Sequence, residues 1–178
     1  HGTSRGLGDV YKRQHHNCYA MTNSVAIVMG SKSDMALAEA TKEVLDGYEI
    51  GSVIKVLSAH RTPEALKEFI QTTIKDGTKV FVGIAGLAAH LSGNIAAHTT
   101  LPVIGIPGDG GPLNGLDALF STVQMPRGVP VATVAIGKAG AVNAGHLAAQ
   151  MLATGDQDLA KKIADQREEQ KRILLEDQ

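Results

Sequence analysis

Five short apolar runs alternate with helical patterns along most of the chain, and this alternation is the feature that most limits its fold. The apolar runs lie near residues 24–29, 50–57, 79–85, 102–106 and 129–135. The helical patterns lie near residues 34–46, 62–76, 88–98, 114–122 and 139–154. Strands and helices that alternate at this spacing predict an α/β fold, in which helices cover a parallel, doubly wound sheet.

Length and composition suit a single catalytic or binding domain. With 178 residues, of which 43% are hydrophobic, the chain can bury about two-thirds of its unfolded surface. We expect this domain over residues 21–178, ending in a charge-rich helix over 156–178. The sequence has no apolar run near the roughly 18 residues that span a membrane and no secretory signal pattern, so it predicts a cytoplasmic protein.

The first 20 residues do not share the alternating pattern. The first methionine is Met21, directly before the first apolar run, and Gly6–Gln14 is similar to translated sequencing-adapter sequence. We therefore predict that residues 1–20 are a non-native or disordered leader, with a genuine extension as the alternative. The remaining body is mildly acidic and has few aromatic side chains, which disfavours a nucleic-acid partner.

The first apolar run leads into a loop with the composition of a phosphate-binding turn. Gly30 is followed by the hydroxyls of Ser31 and Ser33 and by the carboxylate of Asp34. Glycine permits a tight turn there, and the free amides in the first turn of the next helix attract an anion. The alternative is that Ser33 or Asp34 only caps this helix.

The second apolar run leads into Ser58-Ala-His-Arg-Thr-Pro63, which also precedes a helix. Histidine titrates near neutral pH, and arginine is a permanent cation that suits a phosphate or a carboxylate. Ligands of doubly wound sheets bind beyond the carboxyl ends of the strands, so we expect His60 and Arg61 to face the first loop. The alternative is that both are solvated loop charges.

The third apolar run, Val80–Ala85, opens into small residues that surround one histidine. Gly86, Ala88, Ala89 and Gly93 would present their backbone to a flat ring. His90 lies in an otherwise apolar stretch, so a position in the core or at an interface is the alternative to a role in the site.

Six segments occur in a fixed order that is typical of one family. They are Met29-Gly-Ser-Lys-Ser-Asp34, Ser58-Ala-His-Arg-Thr-Pro63, Ala88-Ala-His-Leu91, Gly115-Leu-Asp-Ala-Leu119, Val123-Gln-Met-Pro126 and Val131-Ala-Thr-Val-Ala-Ile-Gly137. Together they resemble the bacterial-type N5-carboxyaminoimidazole ribonucleotide mutases of purine biosynthesis. The resemblance implies a flavodoxin-like three-layer α/β/α sandwich, with the nucleotide between the loops described above.

The same resemblance implies a reaction and its partners. A carboxylate moves from the exocyclic nitrogen of N5-carboxyaminoimidazole ribonucleotide to the ring carbon, which gives 4-carboxy-5-aminoimidazole ribonucleotide. Decarboxylation and recarboxylation would proceed with a histidine as proton carrier, and no metal, ATP or organic cofactor is implied. The family also implies a homo-octamer that the terminal helix helps to form, and coupling to a separate ATP-dependent carboxyaminoimidazole ribonucleotide synthase.

The matching positions imply individual roles. His60 would carry the proton, and Arg61 would hold an anionic group of the substrate. Ser31 and Ser33 would contact phosphate or ribose, and Asp34 would accept hydrogen bonds from ribose hydroxyls. The other implied substrate contacts are Ser58, Gly86, Ala88, Ala89, His90 and Leu91, the last as the wall of a carbon dioxide pocket.

Two places depart from the commoner family pattern, namely the glycine-rich Gly108–Pro112 and Leu87, where many relatives carry a smaller residue. The nearest alternative function is the related carboxylase, which uses aminoimidazole ribonucleotide and free carbon dioxide. That class typically has lysine in place of Arg61 and lacks the Ala-Ala-His-Leu run, so both features favour the mutase. A non-catalytic nucleotide-binding domain is the more remote alternative.

Overall fold

The computed structural model describes residues 22–177, so the predicted leader over residues 1–20 lies outside the described part. The strands are β1 (Val25–Met29), β2 (Ser52–Val56), β3 (Val80–Ala85), β4 (Val103–Pro107) and β5 (Ala132–Thr133). The helices are α1 (Met35–Gly47), α2 (Pro63–Lys75), α3 (Leu91–Ala97), α4 (Leu116–Val123), α5 (Lys138–Ala153) and α6 (Gln157–Glu176). A short 3₁₀ turn over Lys32–Asp34 precedes α1.

The five strands form one sheet in the order β2-β1-β3-β4-β5, and every pairing is parallel. This is the flavodoxin-like order, whose topological switch point lies between β1 and β3. Every residue of β1 is buried, as a continuous apolar run in a central parallel strand predicts. The predicted parallel, doubly wound fold is therefore confirmed.

Alternate side chains of β1 enter two separate cores. Val25, Ile27 and Met29 pack with residues of α1 and α5 on one face of the sheet. Ala26 and Val28 pack with residues of α2 and α3 on the opposite face. Because successive strand residues point to opposite faces, one short strand supports both helical layers of the three-layer sandwich.

Small residues of α5 allow this helix to approach α1 closely. A Cβ atom added at Gly145 would lie 2.7 Å from Val44 Cβ and 2.9 Å from the carbonyl oxygen of Thr41. At the same contact the Thr41 hydroxyl donates a buried 2.8 Å hydrogen bond to the Ala141 carbonyl. The small-residue pattern over 139–154 thus serves helix packing within the chain.

Two predicted boundaries differ from the structure for local reasons. The strand predicted over 129–135 is reduced to Ala132–Thr133, since Pro130 has no backbone N–H and β5 is an edge strand. The helix predicted over 88–98 begins only at Leu91, after a tight turn in which the His90 N–H donates to the Ala88 carbonyl at 2.9 Å.

The terminal helix α6 begins at an Asp156 cap, whose carboxylate accepts hydrogen bonds from the backbone N–H groups of Asp158 and Leu159. Leu159 is its one buried residue. Near the other end, Ile173, Leu174 and Leu175 are 48%, 68% and 69% exposed. None of the helices within residues 22–177 combines the length and apolar character that crossing a membrane requires.

Candidate active site

The loop after β1 is held in place by its own backbone and hydroxyl groups. The Gly30 N–H donates to the carbonyl of Ile84 on β3, with a 3.0 Å separation. The Ser31 hydroxyl accepts hydrogen bonds from the Ser33 backbone N–H at 3.3 Å and from the Ser33 hydroxyl at 3.0 Å. Ser31 therefore caps the 3₁₀ turn, whereas Asp34 makes no side-chain cap bond at α1. Asp34 thus stands at the N-cap position of α1, but its carboxylate makes no capping bond, and the cap of the preceding turn is Ser31 and not Ser33.

The Asp34 carboxyl lies partly buried at the start of α1. Burial raises its pKa above the ordinary value, and the nearby negative charge of Asp109 raises it further. A hydrogen bond with the Ser31 backbone acts in the opposite direction and lowers the pKa of Asp34. A partly buried acceptor at this position suits hydrogen bonds from ligand hydroxyls.

The loop after β2 is closed by Ser58 and Thr62. The Ser58 N–H donates to the Thr62 hydroxyl at 2.9 Å, and this hydroxyl donates to the Ser58 carbonyl at 3.0 Å. The Arg61 N–H donates to the Ser58 hydroxyl at 3.1 Å. These bonds fix the loop and project His60 and Arg61 from the end of the sheet.

Arg61 connects the first two loops. Its Nη2 donates a 3.0 Å hydrogen bond to the Gly30 carbonyl at the end of β1, and its Nε lies 3.5 Å from the Ser58 hydroxyl. A guanidinium group has five N–H donors, so these contacts leave donors for a ligand. Arg61 therefore holds the two loops together, in addition to its predicted role in anion binding.

The loop after β3 brings His90 to His60. His90 Nδ1 lies 2.7 Å from His60 Nε2, and the ring planes meet at 79° with centroids 4.8 Å apart. Both histidines are exposed, so the alternative that places His90 in the core is wrong. Two neutral imidazoles at this distance share one hydrogen, with one ring donating and the other accepting.

A cavity of about 600 Å³ lies where the loops meet, within the size range of small-molecule sites. Its predicted wall residues are Gly30, Ser31, Ser33, Asp34, Ser58, His60, Arg61, Gly86, Ala88, His90 and Leu91. Of the residues predicted to face the substrate, Ala89 and Gly93 are not on this wall, and Ala89 is only 1% exposed. The backbone contacts of these two residues with substrate stay predictions.

The sequence analysis missed part of the wall. The additional wall residues are Ala59, Ala85, Leu87, Gly110 and Gly111. Gly110 and Gly111 follow β4, whose carboxyl end lies at the same edge of the sheet as those of the other parallel strands. Their glycine-rich segment after a predicted strand was the signal that could have assigned them to the site.

Comparisons with known proteins agree on one family. The sequence model described as AIR carboxylase matches residues 24–173. A relative from Bacillus subtilis, named N5-carboxyaminoimidazole ribonucleotide mutase, is 53% identical over 152 residues, which cover 85% of this chain and 94% of the relative. A relative of the same name from Escherichia coli K12 is 49% identical, over 85% of this chain and 90% of the relative.

Solved structures agree with the sequence relatives. A crystal structure of PurE from Treponema denticola aligns with a TM-score of 0.79 and 30% sequence identity, over 86% of this chain and 94% of that one. The sheet order, the sequence relatives and this structural match all indicate the same family. The chain belongs to the AIR carboxylase family.

Proposed function

We propose that this protein is an N5-carboxyaminoimidazole ribonucleotide mutase, an isomerase of purine biosynthesis that produces 4-carboxy-5-aminoimidazole ribonucleotide. One observation carries the proposal most directly. A histidine pair, His60 and His90, stands on the wall of a cavity that also contains Arg61 and the loop after β1. Proton carrier, cation and phosphate-binding turn are the parts that this reaction needs, and the named relatives support the same assignment.

The loop after β1 and Arg61 would hold the ribonucleotide. The amides at the start of α1, a helix of 13 residues, favour a phosphate beside Ser31 and Ser33. Asp34 would accept hydrogen bonds from the ribose hydroxyls. Because Arg61 is tied to the Gly30 carbonyl, it would present its remaining N–H groups to a carboxylate or phosphate without reorganising.

The chemistry requires one proton to be taken up and one to be released. Protonation of the exocyclic nitrogen breaks its bond to the carboxylate, which leaves aminoimidazole ribonucleotide and carbon dioxide. The ring carbon then attacks the retained carbon dioxide, and loss of the ring proton restores the aromatic ring. His60 would supply the first proton and accept the second, so the enzyme ends the cycle unchanged.

His90 would support this proton exchange through its contact with His60. The 2.7 Å contact orients the His60 ring, and one of the two rings carries the shared hydrogen. When His60 changes its protonation state, that hydrogen can move to the other ring. We therefore assign His90 a positioning role in addition to its predicted place on the substrate-binding wall.

Assembly, compartment and pathway belong to the same proposal. The exposed Ile173, Leu174 and Leu175 on α6 support an octamer in which the terminal helix covers a neighbouring subunit. A phosphorylated nucleotide crosses membranes poorly, so the substrate favours a cytoplasmic enzyme. The substrate would come from a separate ATP-dependent carboxyaminoimidazole ribonucleotide synthase.

Four incubations, each of the two ribonucleotides with and without bicarbonate, separate the mutase from its alternatives. A mutase forms the carboxylated ring product from N5-carboxyaminoimidazole ribonucleotide, and early in the reaction added bicarbonate does not raise the rate. A carboxylase forms it from aminoimidazole ribonucleotide only when bicarbonate is supplied. A nucleotide-binding domain forms it in neither case. The His60→Asn protein, prepared in parallel, reports any contaminating activity.

A further inference from the structure

Leu87 combines a strained backbone, an exposed apolar side chain and a position on the cavity wall. Its backbone is left-handed at φ 55°, a conformation that is costly for a leucine. Its side chain is 54% exposed, although it lies on the wall of the cavity. The other large apolar side chain among the described wall residues, Leu91, is only 2% exposed and belongs to the core. Strain of this kind persists where it has a use.

The side chain of Leu87 lies against the loop after β4. A Cβ atom added at Gly111 would overlap Leu87 Cδ2, so the leucine occupies the space that any larger residue at 111 would need. Beneath this contact the two loops touch through their backbones. The Gly108 N–H donates to the Ala85 carbonyl at 2.8 Å, and a Cβ atom at Gly108 would lie 3.2 Å from Gly86 Cα.

This arrangement holds an exposed apolar group at the edge of the cavity, next to wall residues that have little side chain. Gly86 and Ala88 flank Leu87 in the sequence, and apart from its chain neighbours no described residue lies within 4 Å of a Cβ atom added at Gly86. A flat ring bound against these residues would cover the isobutyl group of Leu87. Water would then leave both the ring and the leucine, which favours binding.

We propose that Leu87, held in its left-handed conformation against Gly111, covers the bound imidazole ring and keeps the released carbon dioxide in the cavity. The inference rests on the proposed mutase function and adds a residue to it. The N-carboxylate loses its bond to nitrogen, and the resulting carbon dioxide must persist until the ring carbon forms the new bond. An apolar cover slows its escape and excludes water from the site.

Three substitutions at position 87 distinguish the effect of the side chain from the effect of the backbone conformation. Leu87→Ala and Leu87→Gly both remove the cover, but only glycine accepts the left-handed conformation without cost. Leu87→Met keeps an apolar side chain of similar length. Leu113→Ala is the matched control, because Leu113 is 59% exposed and is not on the cavity wall.

The measurement follows substrate that carries ¹³C in its carboxylate, in buffer with unlabelled bicarbonate. Wild type, Leu87→Met and Leu113→Ala should pass the label to the product. Leu87→Ala and Leu87→Gly should lose label to solution and release more aminoimidazole ribonucleotide. Their affinity for the ribonucleotide should fall by about tenfold, the lower end for one buried leucine side chain.

The temperature of thermal unfolding tests the strain at Leu87 independently of the label measurement. Leu87→Gly should unfold at a higher temperature than Leu87→Ala, although both lose label equally. Gly111→Ala should lower the unfolding temperature strongly in wild type and less in the Leu87→Gly background, where the overlapping methyl group is gone.

The outcomes distinguish the two proposals. A wild type that forms no carboxylated ring product refutes the mutase function itself. A wild type that forms it, beside a Leu87→Ala protein with unchanged label retention and affinity, refutes only the role of Leu87. Equal loss of label by Leu113→Ala would also refute it, since a general effect of exposed leucines would then explain the result.

Discussion

His60 Nε2 and His90 Nδ1 lie 2.7 Å apart, although the two residues are separated by 30 positions and belong to different loops. The loops after β2 and β3 meet because the carboxyl ends of all five parallel strands lie at one edge of the sheet. His60, the proposed proton carrier, is therefore in contact with a second histidine whose own loop also lines the cavity.

The substitution His60→Asn should separate binding from chemistry. Asparagine keeps a polar side chain but cannot exchange a proton near neutral pH, so turnover should fall at least about a hundredfold while affinity is retained. Calorimetry measures the affinity, and the absorbance of the carboxylated imidazole measures turnover. Turnover within about threefold of wild type, with binding intact, would remove His60 from the proposed chemical step.

The substitution His90→Asn tests the histidine contact. Loss of one neutral hydrogen bond should reduce turnover by about tenfold. In a His60→Asn background the same change should have little further effect, because its partner is already absent. Independent, additive losses in the double variant would contradict a coupled pair.

The substitution Arg61→Ala should weaken ribonucleotide binding by roughly ten- to a hundredfold, since a charge-assisted hydrogen bond contributes about 1.5–3 kcal/mol. Arg61→Lys should recover only part, because an ammonium group cannot both bond the Gly30 carbonyl and present a fork to an anion. Urea unfolding of each variant tests whether losing the contact between Arg61 and the Gly30 carbonyl destabilises the fold and in that way lowers the affinity. Unchanged affinity in the alanine protein would mean that Arg61 connects the two loops but holds no group of the substrate.

The terminal helix should be needed for assembly more than for the fold. Replacing Ile173, Leu174 and Leu175 by serine should convert octamers to smaller species without changing the helical circular dichroism, since these side chains are largely exposed in the single chain. Gln166→Ser with Gln170→Ser is the control, on exposed polar positions of the same helix. Light scattering that detects a stable, active wild-type monomer would contradict the octamer.

The sequence predicted the sheet and most of the cavity because both follow from local patterns. The central strands are continuous apolar runs in the sequence, and each loop of the site directly follows a strand. The contact between His60 and His90 joins two loops that are distant in the sequence, so no local sequence pattern could predict it. The left-handed conformation of Leu87 was not predicted either, because leucine carries no local signal for it and the loop that its side chain contacts at Gly111 is distant in the sequence.

The pH dependence of stability should carry a contribution from His146 on α5. Its Nδ1 lies 2.9 Å from the hydroxyl of Tyr48, whose side chain is 5% exposed, and Arg167 on α6 faces both groups. Burial lowers the pKa of His146 below the ordinary 6.5, and the positive charge of Arg167 lowers it further.

The sign of the effect follows from these pKa values. Below about pH 6.5 the unfolded chain takes up a proton at His146 before the folded chain does, so stability is lost as the pH falls toward the folded pKa. Urea unfolding at several pH values between about 7.5 and 5.5 should give a steeper loss for wild type than for the double variant Tyr48→Phe/His146→Leu, which leaves no unpaired hydroxyl. Tyr48→Phe alone should keep the wild-type slope. Equal slopes in wild type and the double variant would show that His146 takes up its proton equally readily in the folded and unfolded chains.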